Sequence, residues 1–301
     1  MSTTSCPVKA AELVVLESRV QAALARGGDV SGLTVLGYGE ISSVLQLDAA
    51  AGKYACKRLP RFDSPSRFES YRMLFEAYLH ELRNHGIIPV ESWLMTVPQD
   101  DSTLVAYVVQ PLLDPNGLAN KKLGAVKPGP ELDALIDKIV SSTMRGVSVR
   151  VGVDAQVSNW VFVGDQLRYL DVTTPMLTDD RGRSLLDTDL FLASLPALLR
   201  GLVKLFVLPG ILRRYHNPRS ALRDVVANLH KEKLQATIPA FLERINKDLE
   251  EPLSAEECEK DYRSDASTWD LLQKLRQWDR AWQMKVRRRV YPFLLPGPIQ
   301  R

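Results

Sequence analysis

The chain has 301 residues, 45% hydrophobic and 25% charged, a globular balance with length for one large domain or two lobes. Its net charge of +3 is too small to point to nucleic acid as a partner. Cys6, Cys56 and Cys258 are odd in number and widely spaced. They suggest neither a disulfide framework nor a metal site, and a cytoplasmic protein is expected. The first residues lack a basic region followed by an apolar run, so no signal peptide is expected. The strongest apolar stretch, Leu190–Leu212, contains Pro196, Arg200, Lys204 and Pro209. A charge at the centre of a spanning helix costs about 2.5–3.5 kcal/mol. The stretch is therefore read as a buried helix pair broken at Pro209-Gly210, with an in-plane membrane helix as the weaker alternative.

In chain order, Ala10–Arg26 has helical spacing, with Leu13, Leu16, Val20 and Leu24 on one side and Gly27-Gly28 as its stop. Gly32–Val44 reads as strand, Gly turn, strand; the second strand continues to Leu47, and a third follows at Lys53–Leu59. Arg67–Arg83 is a helix whose apolar face holds Phe68, Tyr71, Phe75, Tyr78, Leu79 and Leu82. Val90–Val97 and Leu104–Leu112 are two further strands. Asp114–Pro130, rich in Pro, Gly, Asn and Lys, reads as a loop between two lobes, and Glu131–Met144 as a helix.

Val147–Val153 alternates apolar residues like a strand, and Trp160–Val163 and Leu167–Leu170 flank a Gly164-Asp165 turn as a hairpin. Asp154, Asn159 and Asp171 sit at the ends of these strands, where an unpaired polar group is costly to bury. The hairpin can bring all three to one end of a small sheet, and carboxylates with an amide suit Mg²⁺ and a hydroxyl. The remainder is read as helices at Leu185–Leu199, Gly201–Arg214, Pro218–His230, Ile238–Leu249, Ser254–Arg263 and Ser267–Arg289. The last carries Trp269, Trp278 and Trp282, then Lys285 and Arg287-Arg288-Arg289. It reads first as a packed helix with a solvated basic end, second as a surface for a membrane or an anionic substrate.

Asp154-x-x-x-x-Asn159, a hairpin and then Asp171 resembles the catalytic loop and metal-binding Asp of the protein-kinase-like superfamily, especially its aminoglycoside and choline phosphotransferase branch. Leu36-Gly37-Tyr38-Gly39-x-x-Ser42-x-Val44 is similar to that family's Gly-rich loop, with Ser in place of the third Gly. Tyr54-Ala55-Cys56-Lys57 is similar to its Val-Ala-Ile-Lys. Two departures stand out: Val-Gly-Val precedes Asp154 where the family has His-Arg or His-Gly, and Val-Thr follows Asp171 in place of Phe-Gly.

The resemblance implies an α+β, two-lobed kinase-like fold. A small antiparallel-sheet lobe would occupy residues 1–113 and a mainly helical lobe residues 114–301. It implies ATP under Gly37 and Gly39, its phosphates on Lys57, and Glu76 as the ion-pair partner of Lys57, with Glu69 and Glu81 as rivals. It further implies adenine on hinge backbone around Gln110 and Leu112, and Mg²⁺ on Asn159 and Asp171. Asp154 would orient the acceptor hydroxyl, and Asp187 or Asp189 would brace the catalytic loop. Too few residues separate Asp171 from Asp187 for a peptide-docking activation segment. The implied function is therefore an ATP- and Mg²⁺-dependent phosphotransferase acting on a hydroxyl of a small molecule. The alternative is a catalytically weak nucleotide-binding or scaffold protein.

Overall fold

The computed structural model describes residues 5–38, 42–195, 200–201 and 203–295. A helix, α1 (Ala10–Ala25), precedes five strands: β1 (Val35–Tyr38), β2 (Ser43–Ala49), β3 (Gly52–Phe62), β4 (Trp93–Pro98) and β5 (Leu104–Pro111). They form one antiparallel sheet in the order β1-β2-β3-β5-β4. A second helix, α2 (Pro65–Asn84), lies between β3 and β4. It begins two residues earlier than its apolar spacing predicts, because Ser64 caps it and Pro65 supplies a preset first-turn φ.

Side-chain alternation in the sheet separates two environments. Tyr54, Cys56, Tyr107 and Val109 pack with Leu13, Leu16 and Val20 of α1 on one face. Leu59, Ala106 and Val108 pack with Tyr71, Phe75 and Tyr78 of α2 on the other. Lys57 shares the second face, and Arg58 the first.

The chain then becomes mainly helical: α3 (Ala119–Ala125), α4 (Pro130–Gly146), α5 (Thr188–Phe191), α6 (Leu208–Tyr215), α7 (Pro218–Lys231), α8 (Ile238–Ile245) and α9 (Ala255–Lys285). A two-stranded hairpin, β6 (Trp160–Val163) and β7 (Gln166–Tyr169), interrupts them, with Gly164 turning at φ +59°. This is an α+β architecture compatible with the two-lobed fold that the resemblance implies: antiparallel sheet first, helices and a hairpin after it.

Four local expectations change. Residues 147–153 are not a strand. Gly152 N–H donates to Met176 O and Val153 N–H to Tyr215 O, so their ladder bonds go to two different segments. The loop at 114–130 contains α3, which buries Ala119 and Leu123 one turn apart. Pro209-Gly210 does not end the helical run; a π-helical turn at Val203–Val207 leads directly into α6, and Pro209 sits just past that junction, where the wider turn accommodates it. The two helices expected between Ser254 and Arg289 are one, since Ser264 to Ser267 includes neither Gly nor Pro. Residues 196–199 and 202, inside the Leu190–Leu212 run, lie outside the described residues.

Candidate active site

Lys57 stands in β3 between Val44 of β2 and Val108 of β5. It is 9% exposed, and its Nζ donates to Leu170 O at 2.7 Å and lies 3.5 Å from Asp171 Oδ1. Burial pushes the ammonium's pKa down, and Asp171 opposes that shift. Asp171 Oδ1 also accepts from Thr173 Oγ1 at 2.8 Å. Leu170 O takes a second donor, Gln110 Nε2 at 3.0 Å, and the same amide reaches Ser92 Oγ at 2.9 Å. The sheet thus sends two buried polar side chains onto one carbonyl just past the hairpin.

From there a chain of hydrogen bonds runs back to Asp154. Leu170 N–H donates to Asn159 O at 2.8 Å, and Asn159 Nδ2 donates to Asp154 O at 3.1 Å. Tyr169 OH donates to the same Asp154 carbonyl at 3.2 Å. The Asp154 carboxylate accepts from Gln156 N–H at 3.3 Å, so the loop turns back on its own acid. Asp154, Asn159 and Asp171 are each half-buried, as a site open to ligand requires. Hairpin closure brings together Asp154, Asn159 and Asp171, and β3 adds Lys57.

Helix α2 meets this loop with phenols. Tyr71 OH donates to Thr173 O at 2.9 Å and Tyr78 OH to Gly152 O at 2.8 Å. Burial raises both phenol pKa values, so they remain protonated donors. Glu76, the expected partner of Lys57, is instead 53% exposed and bonded to Arg72 at 2.6 Å. It follows Phe75 on a helix whose buried face is Tyr71, Phe75, Tyr78, Leu79 and Leu82, and is rotated about 100° from it. Glu69 also pairs with Arg72, and Glu81 lies near His85. None of the three glutamates pairs with Lys57.

The other expected positions divide. Gly37 faces Val44 of the neighbouring strand, and a Cβ there would meet nothing within 4 Å. Gly39 lies outside the described residues. Leu112 N–H, expected to bind adenine, is committed to Lys53 O at 3.0 Å, which extends the β3–β5 ladder one step. Gln110 pairs with Ala55 in that ladder and turns its side chain to Leu170, a role not read from the sequence. Asp187 caps α5 and accepts from Arg67 Nε at 2.5 Å, tying α2 to the helical part, while Asp189 pairs with Lys204.

Buried Asp224 of α7 is what meets the segment that follows Asp154. Gln156 Nε2 lies 3.5 Å from its Oδ2, and Arg214 Nη1 lies 3.6 Å from its Oδ1. Burial pushes the carboxyl up to about 6, with Asp265 and Asp261 adding to the rise against Arg214. The sequence held a signal for it: one carboxylate inside the apolar stripe Ala221, Leu222, Val225, Val226.

The donor set has the character that Mg²⁺ takes, all oxygen: the Asp171 carboxylate and the Asn159 amide oxygen, whose nitrogen is already committed. Among the described residues there is no cluster of three or more His, Cys, Asp or Glu able to enclose a metal alone. Two protein ligands suit an ion that keeps waters and shares phosphate oxygens.

Sheet, hairpin and converging Lys, Asn and Asp define an α+β protein with a polar cluster where the sheet meets the hairpin. Residues 15–280 match DUF6206, a family of unknown function, and the chain belongs to that family. No curated protein matches it. Among solved structures it is similar to WaaP in complex with acyl carrier protein, at 16% identity and a TM-score of 0.32, over 70% of this chain and 91% of that one. Among the described residues no helix is long and apolar enough to cross a membrane.

Proposed function

We propose that the protein is a phosphotransferase that binds ATP with Mg²⁺ and transfers the terminal phosphoryl group to a hydroxyl of a small molecule. The observation that supports this most is the approach of Lys57 and Asp171, 3.5 Å apart although one comes from the sheet and the other follows the hairpin. Gly37 offers backbone without a side chain to the phosphates, and Lys57 bonds their oxygens. Asn159 and Asp171 would hold Mg²⁺, which would supply charge neutralisation at the transferred group. Asp154 accepts the proton as the acceptor oxygen bonds to phosphorus and the bond to the leaving ADP oxygen breaks. Phosphoryl transfer rests on positioning and electrostatics, so it tolerates the loss of the residues that usually flank the two aspartates.

One observation favours a second reading, nucleotide binding without transfer. The face that α2 turns inward carries Tyr71, Phe75 and Tyr78, with no carboxylate to orient Lys57. Lys57 rests on Leu170 O and Asp171 instead.

Two measurements separate the readings. ATP with Mg²⁺ is expected to raise the melting temperature, and Asp171→Asn to remove the Mg²⁺-dependent part. Phosphorus NMR against a panel of hydroxylated metabolites is expected to show transfer that Asp154→Asn slows by about 10²–10⁴-fold with binding retained. Stabilisation without transfer selects the second reading, and no stabilisation by nucleotide overturns both.

A further inference from the structure

The C-terminal half of α9 presents a face that the packing of the described residues does not use. Leu271, Lys274, Trp278, Trp282 and Lys285 recur at helical spacing, and all are exposed. Trp278 is 61% and Trp282 46% exposed, and their rings stack 6.1 Å apart. Two large indoles left in water at successive turns are a liability unless something covers them.

The residues that follow are not a frayed tail. Arg287 N–H donates to Trp282 O and Arg289 N–H to Gln283 O, closing the helix with a bond that spans six residues. Tyr291 and Leu294 are then buried, Leu294 in the cluster beneath α1. Between these anchors Val286, Arg287, Arg288, Arg289 and Val290 are all exposed. Arg288 holds φ +50°, the left-handed position that such a helix end normally gives to glycine. Here an arginine occupies it, so a cation is kept where the backbone prefers no side chain.

Charge and apolar surface coincide. From Leu271 to Val290 seven residues are Lys or Arg and one, Asp279, is acidic. This stretch is more positive than the whole chain at +3, so the remainder is net negative. Asp279 is engaged by Gln283 Nε2 at 2.7 Å, and Asp270 borders the face at its N-terminal end. Arg280 donates to Gly27 O at the end of α1, which fixes this part of α9 against the sheet-bearing lobe.

We infer that the stretch Leu271–Val290 is a docking surface for an anionic lipid bilayer, with Trp278 and Trp282 entering the headgroup region and Lys285 and Arg287–Arg289 pairing with lipid phosphates. Indole suits that boundary because its body is apolar and its N–H needs a polar partner. A nucleic-acid groove would account for the arginines but not for two stacked indoles flanked by Leu271, Val286 and Val290. A second copy of this chain would set the same positive charges against each other. The helix lies on the surface and does not span, consistent with its mean polarity. This surface uses none of the residues around Lys57 and Asp171 and does not depend on the phosphotransferase reading.

Cosedimentation of the full chain with phosphatidylcholine vesicles containing phosphatidylglycerol, against phosphatidylcholine alone, tests it. Binding is expected only with the anionic lipid and is expected to weaken with salt. Trp278→Ser with Trp282→Ser should reduce it about tenfold or more. Arg288→Gly is the decisive variant: it relieves a strained residue, so the melting temperature should hold or rise, while binding falls by about fivefold for the lost charge. Equal partition to neutral vesicles, or none to either, overturns the proposal. So does light scattering that shows a dimer dissolved by the Trp variants without vesicle binding. Duplex binding lost in the same variants, again without vesicle binding, also overturns it.

Discussion

Lys57 and Glu76 end on different sides of α2, and the reason is geometric. A helix turns about 100° per residue, so a glutamate one position after buried Phe75 cannot share its direction. The i,i+4 pair that Glu76 makes with Arg72 is open to solvent and contributes little to stability. Glu76→Ala is therefore expected to leave ATP-induced stabilisation unchanged in a thermal shift assay. Lys57→Met, which removes the ammonium from Leu170 O and Asp171, is expected to abolish it. Should the Glu76 variant lose the shift as well, α2 must rotate when nucleotide binds. The polar groups of the loop were legible because Asp154, Asn159 and Asp171 punctuate apolar strands, where an uncompensated carboxylate or amide is costly. The environment of Lys57 was not legible. Helical spacing identified the buried face of α2 but not what that face meets, and the phenols of Tyr71 and Tyr78 carry no motif.

At the scale of elements, α1 and β3 are joined by a buried ion pair that no local pattern announces. Glu17 accepts two bonds from Arg58, each 2.8 Å, and others from Tyr107 OH at 2.5 Å and Gln21 at 2.6 Å. Burial alone would raise the carboxyl's pKa, but Arg58 first, then Tyr107 and Gln21, hold it below its ordinary value of 4.5. The spacing of α1 placed Leu13, Leu16 and Val20 inward correctly. Glu17 shares that face, and its partner lies forty-one residues away. Glu17→Ala strands the Arg58 guanidinium in the interior and should cost about 3–5 kcal/mol in chemical denaturation. A depressed carboxyl contributes stability above its unfolded pKa and loses it as pH falls through the folded value. The gap between wild type and Glu17→Ala should therefore narrow below about pH 4.5. A gap that stayed constant in acid would mean that the charge on Glu17 contributes nothing. Replacing Glu17 and Arg58 together by Leu and Met should cost less than Glu17→Ala alone, because no buried charge is then left over.

Across the whole molecule, one apolar core joins what the sequence divides near residue 113. Leu59 and Phe62 of β3 and Val108 of β5 belong to the same cluster as Ile136 of α4, Val225 of α7 and Phe241 of α8, with α2 wedged between. Two further links cross the same boundary: the Arg67–Asp187 pair, and the return of Leu294 to the cluster under α1. The boundary was legible as a change in composition, from alternating strands to helical spacing. Its continuity was not, because a shared core is made by contacts between distant segments that no window of sequence contains. Chains above about 150 residues often unfold in stages. A continuous core predicts otherwise here. In a variant whose only tryptophan is Trp93, fluorescence from β4 of the sheet and far-ultraviolet circular dichroism from the helices should give the same thermal midpoint. Arg67→Ala should lower both together, since it removes a link without dividing the cluster. If the dichroism midpoint separates from that of Trp93, the sheet-bearing lobe and the helical lobe are independent units. Lys57 and Asp171 would then be held together only while both remain folded.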